Sequence, residues 1–182
     1  NDGIVETPEQ IAEYMVFLAY QRWSAVNDHL GRSPSDLHWF DPCSGAGVFS
    51  RQILKKYIEE FNASDVDGLP FLTLAELSPK GLFASLCMIK HTLQKYEISL
   101  SDYLSSGRLQ LHLGDTLIEF PEAQGMFFKS RNFDLVVGNP PYVRSTRMPL
   151  SYKKSLRSFF PGVFHGGADL YTYFIASGVS AL

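Results

Sequence analysis

Asn139-Pro140-Pro141-Tyr142 is the sharpest cluster of chemically useful residue types in this sequence. It follows Gly138 and the largely apolar run Phe133–Val137. Two prolines remove two main-chain donors and stiffen the loop, leaving carbonyls free to accept hydrogen bonds. The Asn139 side chain and the Pro140 carbonyl can then hold both hydrogens of an amino group, and the Tyr142 ring offers a stacking face for a planar base or amide. The plain alternative is a proline-rich turn with Tyr142 as a core aromatic. The motifs upstream weigh against it.

The first of these is Asp41-Pro42-Cys43-Ser44-Gly45-Ala46-Gly47-Val48-Phe49, which ends one apolar run and opens a helical pattern. Glycines let the backbone turn tightly and approach a ligand, and a helix N-terminus behind them favours a carboxylate or phosphate. No Gly-Lys-Ser/Thr follows, so this is not a P-loop, and Ser50 stands where a dinucleotide fingerprint has its third glycine. Glu76 ends the next apolar run, 35 residues after Asp41. An acidic residue there can accept hydrogen bonds from both ribose hydroxyls of a nucleoside, although a solvated strand-end carboxylate is an equal reading. Asp115 follows Gly114 at the end of a third run and could accept from an adenine amino group or cap a turn. Taken together, Asp41, Glu76, Asp115 and Asn139 fall at the carboxyl ends of expected parallel strands, where open α/β sheets bind ligands.

The elements that must position these residues are readable from periodicity. Strands are expected at Leu37–Phe40, Phe71–Leu77, Arg108–Leu113 and Phe133–Val137, the second and fourth nearly continuous in apolar character, as in a parallel sheet covered by helices. Three helical patterns run through Met15, Ala19, Trp23, Val26 and Leu30; through Phe49, Ile53, Tyr57 and Phe61; and through Leu82, Leu86, Ile89, Leu93 and Tyr96. Thr7-Pro8-Glu9-Gln10 and Ser78-Pro79 supply helix starts, with Thr7 and Ser78 as expected caps. The order predicts an α/β, mostly parallel, doubly wound sheet of Rossmann-like kind. A last helical pattern carries Tyr171, Phe174, Ile175 and Leu182. Four strands, where doubly wound domains carry about five or more, make residues 1–182 read as an incomplete catalytic domain whose fourth strand lies at an edge open to association.

Composition bounds the rest. The 182 residues are 45% hydrophobic and 19% charged, with a formal net charge of −3. Such values exclude a disordered chain and argue against a compact basic module that grips nucleic acid alone. No stretch approaches the roughly 20 apolar residues of a membrane span. Cys43 and Cys87 are too few for a disulfide framework or a four-ligand zinc site, so a reduced, cytoplasmic protein without a metal is expected. One local pattern runs against the net charge. Arg144, Arg147, Lys153, Lys154 and Arg157 follow the tetrapeptide with no acidic residue among them, which suits either phosphate contacts or a solvated helix face.

In combination and order, these motifs resemble the S-adenosylmethionine-dependent DNA adenine-N6 methyltransferases of the gamma arrangement. Thr7-Pro8-Glu9-Gln10-Ile11-Ala12 with Met15-Val16 looks like the N-terminal cofactor motif that precedes the glycine loop in that arrangement. Gly167-Ala168-Asp169-Leu170-Tyr171-Thr172-Tyr173-Phe174 looks like the segment lining the methyl-transfer pocket. The resemblance implies cofactor contacts from Thr7, Pro8, Asp41, Pro42, Cys43, Gly45, Gly47, Phe49, Glu76, Leu77, Asp115, Thr116 and Asn139. It implies catalysis at Asn139, Pro140, Pro141 and Tyr142 on an adenine flipped out of the duplex. Arg144, Arg147, Asp169 and Phe174 join Tyr142 as expected substrate contacts. Double-stranded DNA is the implied partner, read by a target-recognition region that this chain lacks, in restriction-modification or phage defence. Three other readings remain: a release-factor glutamine methyltransferase, which shares the Asn-Pro-Pro-Tyr motif; an RNA base methyltransferase; and a cofactor-binding scaffold without activity of its own.

Overall fold

A computed structural model describes residues 6–119, 133–163, 165 and 167–182. Its frame is a four-stranded parallel sheet ordered β3-β2-β1-β4, with β1 His38–Asp41, β2 Phe71–Glu76, β3 Leu109–Leu113 and β4 Leu135–Val136. Helix α1 (Glu9–Asn27) precedes β1, α2 (Val48–Glu59) connects β1 to β2, α3 (Pro79–Gln94) and α4 (Leu100–Ser105) lie between β2 and β3, and α5 (Leu150–Phe159) and α6 (Leu170–Ala181) follow β4. The expected α/β architecture is present, and β4 lies at an edge among the described strands.

Neighbouring residues of a strand point to opposite faces, and the packing divides accordingly. On one face Trp39, Leu72, Leu74, Leu109 and Leu135 pack with Val16 of α1, Ile53 and Tyr57 of α2 and Ile89 of α3. On the other, Phe40 stacks on Phe133 with ring centroids 4.6 Å apart, and Ala181 of α6 closes over them. The buried Trp39 indole N–H donates to Tyr57 Oη at 3.0 Å, and that hydroxyl donates to the Pro34 carbonyl at 2.8 Å. Desolvation therefore leaves no orphaned donor at the centre of the larger core.

Several boundaries differ from the sequence pattern. Thr7 does not cap α1: Pro8 occupies the N-cap position with no side-chain cap bond, and Thr7 is committed elsewhere. Ser78 does cap α3, its hydroxyl accepting from the Gly81 N–H at 3.5 Å. Helix α1 gives way at Asp28–Leu30 to a 3-10 turn ended by Gly31 in the left-handed region. Strand β4 is shorter than its apolar run, although Asp134 N–H and Val137 N–H still donate to the His38 and Phe40 carbonyls. Arg32 pairs with Asp134, and the same carboxylate accepts the His38 N–H at 2.9 Å, which fastens the start of β4 to β1. Helices α4 and α5 are additions to the expected list. Helix α4 has a single buried residue, Tyr103, and so no apolar stripe that periodicity can detect, whereas Tyr152, Leu156 and Phe160 of α5 and its end fall at four-residue steps that the expected patterns omit.

Among the described residues no helix is long and apolar enough to cross a membrane, and no group of three His, Cys, Asp or Glu side chains is placed to hold a metal ion.

Candidate active site

The site is assembled around the loop between β1 and α2. Gly47 takes a φ of 83° there, and a Cβ on it would lie 2.8 Å from the Ser85 backbone of α3, so the turn and the helix contact both require glycine. Beneath the loop, Ser85 Oγ donates to the Gly45 carbonyl at 2.8 Å. Parallel pairing brings Asp41 opposite Leu74 and Glu76 opposite Leu113, which sets the three strand ends on one rim of the sheet.

Glu76 is fixed by two main-chain donors. Its Oε2 accepts the Gly45 N–H at 2.8 Å and its Oε1 accepts the Ser78 N–H at 2.9 Å. A carboxylate oxygen can accept more than one hydrogen bond, so this clamp orients Glu76 and leaves capacity for hydroxyl donors. Asp115 Oδ1 accepts the Leu117 and Ile118 N–H groups at 2.9 and 3.2 Å, capping the turn after β3. The Tyr152 hydroxyl of α5 meets the same carboxylate. Burial first, then Asp115, raises the Tyr152 hydroxyl above the ordinary tyrosine range. Thr116 is buried and donates to the Pro42 carbonyl at 2.7 Å, so its hydroxyl braces the loop from below.

Asp41 is fully buried at the end of β1. Its Oδ1 accepts the Cys43 N–H at 3.2 Å, while Oδ2 is buried without a hydrogen-bond partner. Desolvation pushes this carboxyl up to about 7, opposed by the Cys43 hydrogen bond and reinforced by the Glu76 charge. Burial also raises the Cys43 thiol, followed by the Asp41 and Glu76 charges, so Cys43 is a neutral loop residue and not a thiolate. The chain after β4 passes close to this group. A Cβ at Gly138 would lie 3.1 Å from Asp41 Oδ1 and 3.2 Å from Cys43 Sγ, so a larger residue before Asn139 would press these side chains aside by a few tenths of an ångström.

Asn139 Nδ2 donates to Thr7 Oγ1 at 3.0 Å, and Asn139 Oδ1 accepts from the Tyr142 hydroxyl at 2.9 Å. Tyr142 is 56% exposed, with the Tyr171 ring 6.4 Å away at 45°. The segment after the tetrapeptide is held to the start of α6: Leu170 N–H donates to the Val143 carbonyl at 2.9 Å, and Ser145 N–H to Asp169 Oδ1 at 2.8 Å. Phe174 and Pro140 share the wall of an apolar groove with Pro42 and Gly138.

The structure thus joins Thr7, Asn139 and Tyr142 by hydrogen bonds, pairs Asp41 with Cys43 and Glu76 with Gly45, and ties Thr116, next to Asp115, to Pro42 of the loop. Phe49 is directed into the core instead, and Leu77 is 69% exposed. Arg144 and Arg147 flank the tetrapeptide on an exposed turn, while Lys153, Lys154 and Arg157 lie on α5. Features of the site that lie outside the sequence reading include the Thr7–Asn139, Thr116–Pro42 and Ser85–Gly45 bonds and the Tyr152–Asp115 contact. Each depends on residues distant in sequence, and none has a local signal.

The β3-β2-β1-β4 parallel order with a glycine loop after β1 is the fold of class I S-adenosylmethionine-dependent methyltransferases. Solved structures agree. A putative class I S-adenosylmethionine-dependent methyltransferase from Listeria monocytogenes superposes with a TM-score of 0.58 at 11% identity, over 96% of this chain and 42% of that one. The Type ISP restriction-modification enzyme LlaGI, in a complex with a DNA substrate mimic, gives 0.66 at 18% identity, over 98% of this chain and 19% of that one. Residues 75–182 match the family described as Eco57I restriction-modification methylase, and the chain belongs to that family. The Type II methyltransferase M.PaeR7I of Pseudomonas aeruginosa is 27% identical over 148 residues, 78% of this chain. This chain spans 24% of that relative's length.

Proposed function

We propose that this chain is the cofactor-binding and catalytic part of a cytoplasmic DNA methyltransferase acting on the N6 amino group of adenine, with target recognition carried by other parts of the whole protein. The observation that carries the reading is the Asn139 carboxamide, pinned at its nitrogen with its oxygen turned to the exposed Tyr142 ring. Membership in a restriction-modification methylase family supports DNA as the substrate.

The residues at the rim fit S-adenosylmethionine. Glu76 is clamped as a ribose acceptor, Asp115 is set to receive the adenine amino group, and Gly45 and Gly47 keep the loop free of side chains. Asp41 Oδ2 provides a buried polar atom with acceptor capacity left over. When bound, the cofactor supplies an electrophilic methyl group on a sulfonium centre. The chain's own contribution is orientation. Adenine N6 is a poor nucleophile because its lone pair is delocalised into the ring. With Asn139 Oδ1 and the Pro140 carbonyl accepting its two hydrogens, the nitrogen is drawn towards a tetrahedral shape and its lone pair is freed. Tyr142 holds the extruded base by stacking, which contributes about 1–3 kcal/mol per base. Positioning and fixed dipoles then account for most of the rate enhancement, with no protein nucleophile. The basic residues Arg144, Arg147, Lys153 and Lys154 suit the flanking phosphates.

Tritiated-methyl transfer by the whole protein to unmethylated duplex DNA, RNA and a release factor tests the reading, with the product nucleoside from DNA identified as N6-methyl-2′-deoxyadenosine or otherwise. Label in adenine N6 of DNA is the expected outcome. Label in protein or RNA alone would sink it.

A further inference from the structure

We propose that Tyr152 is a positioning residue for the cofactor's base: its hydroxyl sets the Asp115 carboxylate to read the adenine amino group, a role that rests on the S-adenosylmethionine reading above. A carboxylate accepts hydrogen bonds and has none to give, so the Tyr152–Asp115 bond runs one way, from hydroxyl to carboxylate. The turn after β3 grips Asp115 at one point, because the Leu117 and Ile118 N–H groups both donate to Oδ1, at 2.9 and 3.2 Å. A carboxylate held at one oxygen can still swing about it. Tyr152 reaches the group from α5, a different element, and restrains that swing. A carboxylate offers about four acceptor sites. Three donors leave capacity for about one more, which matches a single hydrogen of an exocyclic amino group.

Tyr152 can act this way because α5 is packed on that same turn. Tyr152, Leu156 and Phe160 join Leu117 and Ile118 in one apolar cluster, in which Leu117 and Leu156 are fully buried. The two residues whose N–H groups cap Asp115 are therefore the ones that α5 covers with its side chains. Tyr152 itself is half-buried, which shields its hydroxyl bond from water and strengthens it. Between Asp115 and the cluster, Thr116 is tied to the Pro42 carbonyl at 2.7 Å, so the turn keeps its place against the cofactor loop. The sheet supplies the neighbour that an adenosine needs. Strand β3 pairs with β2, which sets Asp115 beside the clamped Glu76, an acceptor for the base next to an acceptor for the ribose.

The test is calorimetry on the whole protein with two ligands, S-adenosylhomocysteine and a desamino analogue that carries hydrogen where adenine has its amino group. The ratio of their Kd values isolates the amino contact, since the ribose and amino-acid contacts are common to both. Wild type should favour S-adenosylhomocysteine by about tenfold or more, the effect of a hydrogen bond to a charged acceptor. Tyr152→Phe keeps the ring in its cluster and removes the donor, and it should cut that ratio about three- to tenfold. Asp115→Ala should bring the ratio near one by itself, and adding Tyr152→Phe should leave it there, because the tyrosine acts through the carboxylate. A tyrosine that only supports the fold would weaken both ligands together, so an unchanged ratio in Tyr152→Phe overturns the proposal. A further fall in the ratio where Asp115 is already replaced overturns it as well. A wild type that binds both ligands alike removes Asp115 from the base and the proposal with it, while methyl transfer to DNA still stands or falls on its own assay. A wild type that binds neither ligand sinks the methyltransferase reading itself.

Discussion

Glu76 and Gly45 are joined by a 2.8 Å hydrogen bond from the loop amide to the carboxylate, which links the end of β2 to the cofactor loop across 31 residues. The same carboxylate accepts from Ser78, so its two oxygens are aimed before any ligand arrives. Preorganisation of this kind lets bonds to a charged acceptor contribute about 1.5–3 kcal/mol. Glu76→Ala should therefore weaken S-adenosylmethionine binding by about ten- to a hundredfold in calorimetry. Undiminished affinity would remove Glu76 from its ribose role.

Asp41 gives the fold a pH dependence of unusual sign for a carboxylate. Its folded-state value of about 7 lies above the ordinary aspartate value, so the folded protein holds a proton that the unfolded chain has released. Stability from this group is complete below about pH 4, declines as pH rises, and is lost once pH passes about 7. The shift of roughly three pH units corresponds to about 4 kcal/mol at most. Denaturant melts at pH 5 and pH 8 should show wild type losing stability relative to Asp41→Asn, whose amide keeps an acceptor for the Cys43 N–H and does not titrate. Parallel pH profiles for the two proteins would show that Asp41 does not titrate in that window.

Tyr57 serves the core as a relay, receiving the Trp39 indole N–H and donating to Pro34. Tyr57→Phe keeps the ring and strands a buried donor at Trp39, an unmet group that costs about 1–3 kcal/mol. The expected loss appears in the denaturant midpoint with an unchanged slope, because the surface exposed on unfolding stays the same. A variant as stable as wild type would mean that a water molecule takes the hydroxyl's place.

Asp41, Glu76, Asp115 and Asn139 are legible in the sequence because each ends an apolar run, and a parallel sheet places all such ends on one rim. Thr7 is legible as a residue type at a helix start and, through the resemblance, as an expected cofactor contact; that its hydroxyl meets Asn139 follows from the docking of α1 on α2, which no local pattern encodes. The bond from Thr116 to Pro42 is hidden for the same reason, its partners lying 74 positions apart. Helix α5 is open to a periodicity reading, since Tyr152, Leu156 and Phe160 fall at four-residue steps, but its basic residues read equally as a loop. Phe49, which the resemblance sets among the cofactor contacts, is turned by helical geometry into the core at 2% exposure.

Tyr142 offers a way to separate stacking from hydrogen bonding at the catalytic loop. Its hydroxyl occupies Asn139 Oδ1, the atom that the substrate amino group is proposed to use, whereas its ring is 56% exposed. If the ring carries the function, Tyr142→Phe should transfer methyl groups within about threefold of wild type, because only a competing donor is lost, while Tyr142→Ala forfeits the stacking energy of about 1–3 kcal/mol. Asn139→Ala should be slower still, since it removes the acceptor on which the lone-pair argument depends. Calorimetry supplies the control: across the three variants single-turnover rates should diverge more than cofactor affinities do. Equal losses in Tyr142→Phe and Tyr142→Ala would assign the role to the hydroxyl and not to the ring. Losses matched by weaker cofactor binding would move both residues from the substrate side of the site to the cofactor side.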